Sequence, residues 1–212
     1  MKELQHHQAD LLDPQKAETR KAARVKALGK LELGQGLHDI HSPAYWAYAF
    51  KLLGDPYAKR IAADIEAGKF KLEVLEYEDF ARRCRELGEE DSVGDNAFFL
   101  HSGVTGGKPL MMVKAFPVDN YSFETRPDPV FAVMGKIAHE YQHFLDIDPA
   151  QTRTQSVVHL QEMRAHLREA LWRAQYGDTQ KLASFHRDGT SGLALHWRDK
   201  FESHYGHHFR RD

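Results

Sequence analysis

The chain has 212 residues, 42% of them hydrophobic and 28% charged, with a mean hydropathy of −0.61 and a formal net charge of −2. That length supplies a real core for one large domain or two small ones, and the balanced charge, with no long single-sign run, gives no sign of a nucleic-acid surface or a membrane patch. No stretch approaches the roughly 18 apolar residues of a membrane span, and Met1 to Asp10 is polar, without the apolar segment of a secretory signal. The lone Cys84 cannot form an internal disulfide and suits a reducing compartment. The expectation is a cytoplasmic protein, with export by a route that needs no cleaved signal left open.

Residues 1–12 read as frayed. Asp13-Pro14 opens a peripheral, basic helix to about Leu28, with Ala17, Val25 and Leu28 as its apolar positions. Ser42-Pro43 opens a second, Ala44 to Leu53, rich in aromatics (Tyr45, Trp46, Tyr48, Phe50) and closed by Gly54; Asp55-Pro56 opens a third, ending at Gly68. Cap residue, proline at the first helical position and terminal glycine agree in these two. The aromatic cluster is expected to serve packing rather than ligand binding.

From Lys69 to Tyr77 apolar and polar residues alternate, which predicts a half-buried strand. A short helix, about Asp79 to Leu87, stops at Gly88, and Glu89 to Ser92 reads as a loop. Ala97 to Ser102 and Leu110 to Phe116 read as the arms of a hairpin around the turn Thr105 to Lys108. Pro117 to Pro127 is a connection. Asp128-Pro129 then opens a helix that ends near Asp146, before Pro149. A second long helix begins between Pro149 and Thr154 and runs to about Tyr176, stopped by Gly177. Weaker helical stretches follow at Gln180–Phe185 and Leu193–Tyr205, then a basic tail from Gly206 to Asp212. With no repeat and no low-complexity linker, the chain reads as a single domain.

The stretch with chemistry in it is His139-Glu140-Tyr141-Gln142-His143. On a helix the two imidazoles stand one turn apart on one face, close enough to share a tetrahedral metal, and the glutamate beside them can take a proton from water on that metal. A chain with 14 histidines produces such strings by chance more readily than most, so the surroundings decide. Phe131, Met134, Ala138, Tyr141 and Leu145 recur at spacings of three and four, a core-facing stripe. His139 and His143 fall about 100° round from it, at the edge of the buried face where a cleft is expected. Gly135, one turn before His139, costs about 1 kcal/mol against Ala in mid-helix, which a close neighbour there would explain.

Zinc requires a further ligand. The short-spaced His-Glu-x-x-His-x-x-Gly-x-x-His form is absent, because Asp146 and Pro149 occupy those positions. The next candidates are Asp146, Asp148, His159, Glu162 and His166. If the two long helices run back against each other, Glu162, roughly 12–15 Å along the second at 1.5 Å per residue, comes level with His139. His159, Glu162 and His166 share one face of that helix. Glu162 is the preferred ligand, since a carboxylate with two imidazoles is a common catalytic zinc set that leaves the fourth position to water. His166 is a candidate for a supporting catalytic role, hydrogen-bonding a bound carbonyl or its oxyanion, and Glu169 for orienting a ligand imidazole.

On these residues the chain resembles the gluzincin branch of zinc metallopeptidases, with His-Glu-x-x-His on one helix and a glutamate ligand on a following one. Glu162-Met163-Arg164-Ala165, followed by Glu169-Ala170-Leu171, looks like the Glu-x-x-Ala helix of small intracellular peptidases of the ImmA/IrrE type, with Trp172-Arg173-Ala174 where those carry Leu-x-Pro. The resemblance covers about Lys69 to Tyr176. It implies an α+β fold in which a small, mostly antiparallel sheet of about three strands packs on the His-Glu-x-x-His helix and the glutamate helix. Residues 1–68 would be a helical N-terminal extension, 69–177 the zincin-like core, and 178–212 a C-terminal helical segment and tail. It further implies a zinc metalloendopeptidase acting on a protein or peptide substrate, with one Zn2+ per chain held by His139, His143 and Glu162 and Glu140 as general base. An edge strand, here Ala97 to Ser102, would pair with the extended substrate.

Two other readings compete. A zincin-like module kept for binding or regulation would have no use for Glu140. A di-iron helical bundle needs a second Glu-x-x-His, but Ala165 and Trp172 stand where those histidines belong. His38-Asp39-Ile40-His41 is a minor metal-binding option beside a helix start.

Overall fold

A computed structural model of the chain describes residues 10–31, 39–115, 128–146 and 155–187. The expectations for residues 1–9, the 117–127 connection, Asp148, the start of the second long helix, Leu193–Tyr205 and the tail lie outside these. The protein is a mixed α+β protein, mostly helical, with one small three-stranded sheet among the described residues. Two compact units make up the chain, Met1–Ala23 with Asp148–Asp212 and Arg24–Ile147. No described helix is long and apolar enough to cross a membrane.

In Arg24–Ile147, helices α2 (Pro43–Leu53) and α3 (Pro56–Glu66) form an antiparallel pair. The Asp55 carboxylate caps α3 by accepting from the Tyr57 and Ala58 amides at 2.8 and 3.1 Å, and Gly54, at φ 77°, closes α2. Trp46 and Phe50 are buried, so the aromatic cluster is core.

Strand β1 (Lys71–Leu75) leads through helix α4 (Tyr77–Leu87) and a 3-10 turn (Glu90–Gly94) to β2 (Ala97–Leu100) and then β3 (Leu110–Lys114). The segment expected to be a plain loop after Gly88 is thus mostly helical. The hairpin turn also differs, because the His101 ring accepts from the Gly103 amide at 3.2 Å and starts one helical turn, Ser102–Thr105. The strand order is β1-β3-β2, with β2 antiparallel to β3 and β1 parallel to it. The sheet is therefore mixed rather than mostly antiparallel: the chain passes through α4 and the 3-10 turn to β2, which runs opposite to β1, and the β2–β3 hairpin reverses it again, so that β3 enters between the two and lies parallel to β1.

β3 is buried along its whole length, as a central strand covered on both faces must be. The period of two sends Leu110 and Met112 to one face with Leu100, where they pack on Phe80 and Cys84 of α4. Burial there pushes the Cys84 thiol up to about 11, so it stays protonated. Lys114, also buried, donates to the Val93 carbonyl at 2.9 Å and tethers the 3-10 turn. The opposite face carries Leu72, Val74, Met111, Val113 and Phe99, and against it lies helix α5 (Pro129–Leu145), with Phe144 packed on Phe70 and Phe99.

In the other unit, helix α6 (Gln155–Gln175) turns at Gly177 into α7 (Gln180–Arg187). Helix α1 (Pro14–Leu28) begins here, with Asp13 as its cap. Leu11, expected in a frayed segment, is instead buried with Ala170, Ala174 and Leu182, in a helical stretch from Asp10 to Leu12. Val25, read as an apolar contact of α1, is exposed, because the buried line of that helix runs Ala17, Arg24, Leu28.

Among the described glycines, Gly177 has the least room for a side chain. Its φ is 81°, and a Cβ there would stand 2.2 Å from the Ala17 carbonyl oxygen and 2.7 Å from the Lys21 nitrogen. Gly88 has a similar φ of 74° but open space around it. In urea unfolding Gly88→Ala should cost about 1 kcal/mol, from backbone strain alone, and Gly177→Ala about 3 kcal/mol or more, since strain and overpacking add. Equal losses would show that helix α1 does not press on this turn.

Candidate metal centre

The His-Glu-x-x-His segment lies in α5. Asp128 accepts from the Phe131 amide at 3.0 Å and fixes where the helix begins. Arg24 secures that cap, its Nε 3.4 Å from the Asp128 carboxylate and its guanidinium 4.2 Å from the centre of the Phe131 ring. Farther along, the Tyr57 hydroxyl donates to the Ala138 carbonyl at 2.9 Å, a second bond on the peptide that precedes His139.

Tyr141, at the centre of the motif, donates to the Asp64 carboxylate at 2.6 Å, and Lys69 lies 2.7 Å from the other Asp64 oxygen. Burial alone would raise the Asp64 pKa, but the bonds from Lys69 and Tyr141 outweigh it and hold the carboxyl below the usual carboxylate value. Burial, and then the bond to Asp64, raise the Tyr141 hydroxyl. Sequence reasoning missed Asp64. The signal available was an acid among Ile61, Ala62 and Ile65 on the buried face of α3, a place that calls for a donor partner.

The apolar stripe is present, with Phe131, Met134, Ala138 and Tyr141 buried and Leu145 partly so. The burial extends well beyond it: Ala132, Val133, Gly135, Ile137, His139, Glu140 and Gln142 are buried too. His139 and Glu140, 7% and 5% exposed, are therefore within the buried surface rather than at its edge, and His143 is half-buried. The two imidazoles converge, Nε2 to Nε2 at 3.3 Å with ring planes inclined at 68°.

Of the other ligand candidates, Asp146 caps the same helix and accepts from Gln142 at 2.9 Å. His41 has Nδ1 2.7 Å from the Val74 carbonyl oxygen, and its neighbour His38 lies outside the described residues. Only the backbone of His159 is described.

Glu162 and His166 sit one turn apart on α6, both mostly buried, with Glu162 Oε2 3.9 Å from His166 Nε2. Glu169, fully buried, lies on the same side of the helix. Its described partners are cations: Arg173 Nη1 at 3.1 Å and the Lys181 ammonium. Arg173 also holds Asp178 through Nε and Nη2 at 2.8 and 2.6 Å. Burial works against the Arg173 charge, but Glu169 and Asp178 outweigh it and raise its pKa. Lys181 reaches on to His166 Nδ1 at 3.0 Å. These cations come from the end of α6 and from α7, and no local spacing around the motif announces them.

No family model, curated protein or solved structure matches this chain.

The buried Asp64–Tyr141 bond ties α5 to α3, so Tyr141→Phe should lose about 1–3 kcal/mol at pH 7. Because the folded-state pKa of Asp64 is depressed, its stabilisation is full above the unfolded value of about 4 and fades as pH falls through the lower folded value. The difference between Tyr141→Phe and wild type in urea titrations should therefore shrink in acid. A penalty that stays constant from pH 7 down to acid unfolding contradicts the coupling.

Proposed function

We propose that the chain is a zinc-dependent metalloendopeptidase with a zincin-like, gluzincin-type core, its metal held by His139, His143 and Glu162. The observation that carries this reading is the spacing of the two imidazole nitrogens. Two Zn–N bonds of about 2.0–2.1 Å at the tetrahedral angle separate their nitrogens by about 3.4 Å, and His139 and His143 stand 3.3 Å apart before any metal enters. The rigid, multiply tethered helix favours keeping them there. Glu162 is assigned from its donor type and its place on the helix that follows.

Bound zinc would supply a Lewis acid that polarises a carbonyl and makes a water more acidic. Glu140 accepts a proton from the attacking water and returns it to the leaving amine. Its burial keeps competing solvent away from that carboxylate. The substrate is an extended stretch of protein. β2 is an edge strand with its one described ladder partner, β3, on one side, and it packs beside α5, which suits pairing with such a segment.

Elemental mass spectrometry on untagged protein should find about one zinc per chain, lost in His139→Ala and in Glu162→Ala. Glu140→Gln should keep the zinc while cleavage of an unfolded protein such as casein drops by roughly 10²–10⁴-fold. Zinc retained with no cleavage by the wild type would point to a binding module, and cleavage unchanged in Glu140→Gln would remove Glu140 as the base. Iron in pairs would favour a di-iron site, and no metal after zinc is offered would end the proposal.

A further inference from the structure

The face of α6 that carries Glu162 continues as His166, Glu169 and Arg173, at spacings of four, three and four, and α7 adds Lys181 to it. Within this row Glu169 and Asp178 are bonded to Arg173 and Lys181. A fully buried carboxylate such as Glu169 keeps its charge only with cations bonded to it, and Arg173 and Lys181 are those cations. Lys181 is therefore an ammonium, which has three donors and no acceptor. Its contact with His166 Nδ1 can then run only one way: Lys181 donates and Nδ1 accepts. In the neutral ring the proton is on Nε2.

From this we infer that Lys181 is a positioning residue that fixes His166 as an Nε2–H donor, so that His166 binds a substrate carbonyl oxygen and is not a ligand to the metal. The inference rests on the peptidase reading for its substrate, but not for the tautomer. A second distance supports it. His166 Nε2 and Glu162 Oε2 are 3.9 Å apart, beyond hydrogen-bond range. An N–H at that distance from a ligand carboxylate can reach an oxygen placed next to it. Donors of this kind act on the negative charge that builds on a carbonyl oxygen during attack. Glu169 and Arg173 complete the support, linking Lys181 to the turn held by Asp178.

Long-range proton–nitrogen correlation spectra of the full chain, labelled with 15N-histidine and with zinc content measured on the same sample, test this directly. His166 is assigned by its disappearance in His166→Gln. The expected pattern is an unprotonated Nδ1 and a protonated Nε2, kept in Lys181→Arg and lost in Lys181→Met. Zinc content should be unchanged in His166→Gln and Lys181→Met, with cleavage of casein reduced about 10–100-fold in both. A protonated Nδ1 in the wild type, or zinc lost in His166→Gln, overturns the inference. Should Lys181→Met not fold, the wild-type and Lys181→Arg spectra still decide. Absence of zinc in every sample sinks the peptidase reading but leaves the tautomer result standing.

Discussion

Two imidazole nitrogens held 3.3 Å apart need a helix that cannot rotate or slide, and burial of α5 meets that need. An ordinary amphipathic helix leaves one face to solvent, yet from Phe131 to Gln142 eleven of twelve residues are buried, all but Lys136. Such a helix has no solvated face to relax into, so its polar groups must be satisfied where they stand. Asp64 and Tyr57 answer this on one side of the motif, and Arg24 with Asp128 at the helix start. The spacing of His139 and His143 is a by-product of that immobility as much as of the helical repeat.

The two units handle buried charge differently. In Arg24–Ile147 the buried carboxylate of Asp64 is shared between a tyrosine and a lysine that remains half in water. In the other unit the charges alternate in a row through Asp178, Arg173, Glu169 and Lys181 to His166. Removing one member of such a row exposes its neighbours to uncompensated burial, whereas Asp64 can fall back on a partly solvated partner. Rigidity around His166 is therefore collective, and around Tyr141 it is pairwise.

Much of the fold could be read from local chemistry. The Asp-Pro and Ser-Pro starts and the glycine stops at 54, 88 and 177 act within a few residues of the ends they mark, and those helices lie where expected. The alternation of Phe70, Leu72 and Val74 likewise marked a half-buried strand. What could not be read depends on partners distant in sequence. The parallel pairing of β1 with β3 is decided by the insertion of β3 between β1 and β2, and the widening of the buried surface around His139 by elements that no periodicity within α5 specifies. For the site, the two histidines and their spacing were plain in the motif. The roles of Asp64 and Lys181 were not, because a charged residue on a helix looks the same in sequence whether its partner is water or a buried group.

The strand order carries a further consequence, for assembly. Among the described residues β1 and β2 do not pair with one another; each pairs with β3, which follows both in sequence. A growing polypeptide can form the α2–α3 pair and α4 early, from neighbouring residues, but it holds two unpartnered strands until Leu110–Lys114 emerges. Pairing of β3 with both neighbours completes the described sheet, and the helix bearing the imidazoles lies farther along the chain. Non-local pairing of this kind is slow compared with helix formation. The histidine pair is thus built on a platform that is finished just ahead of it, and any fragment ending before Leu110 lacks that platform altogether.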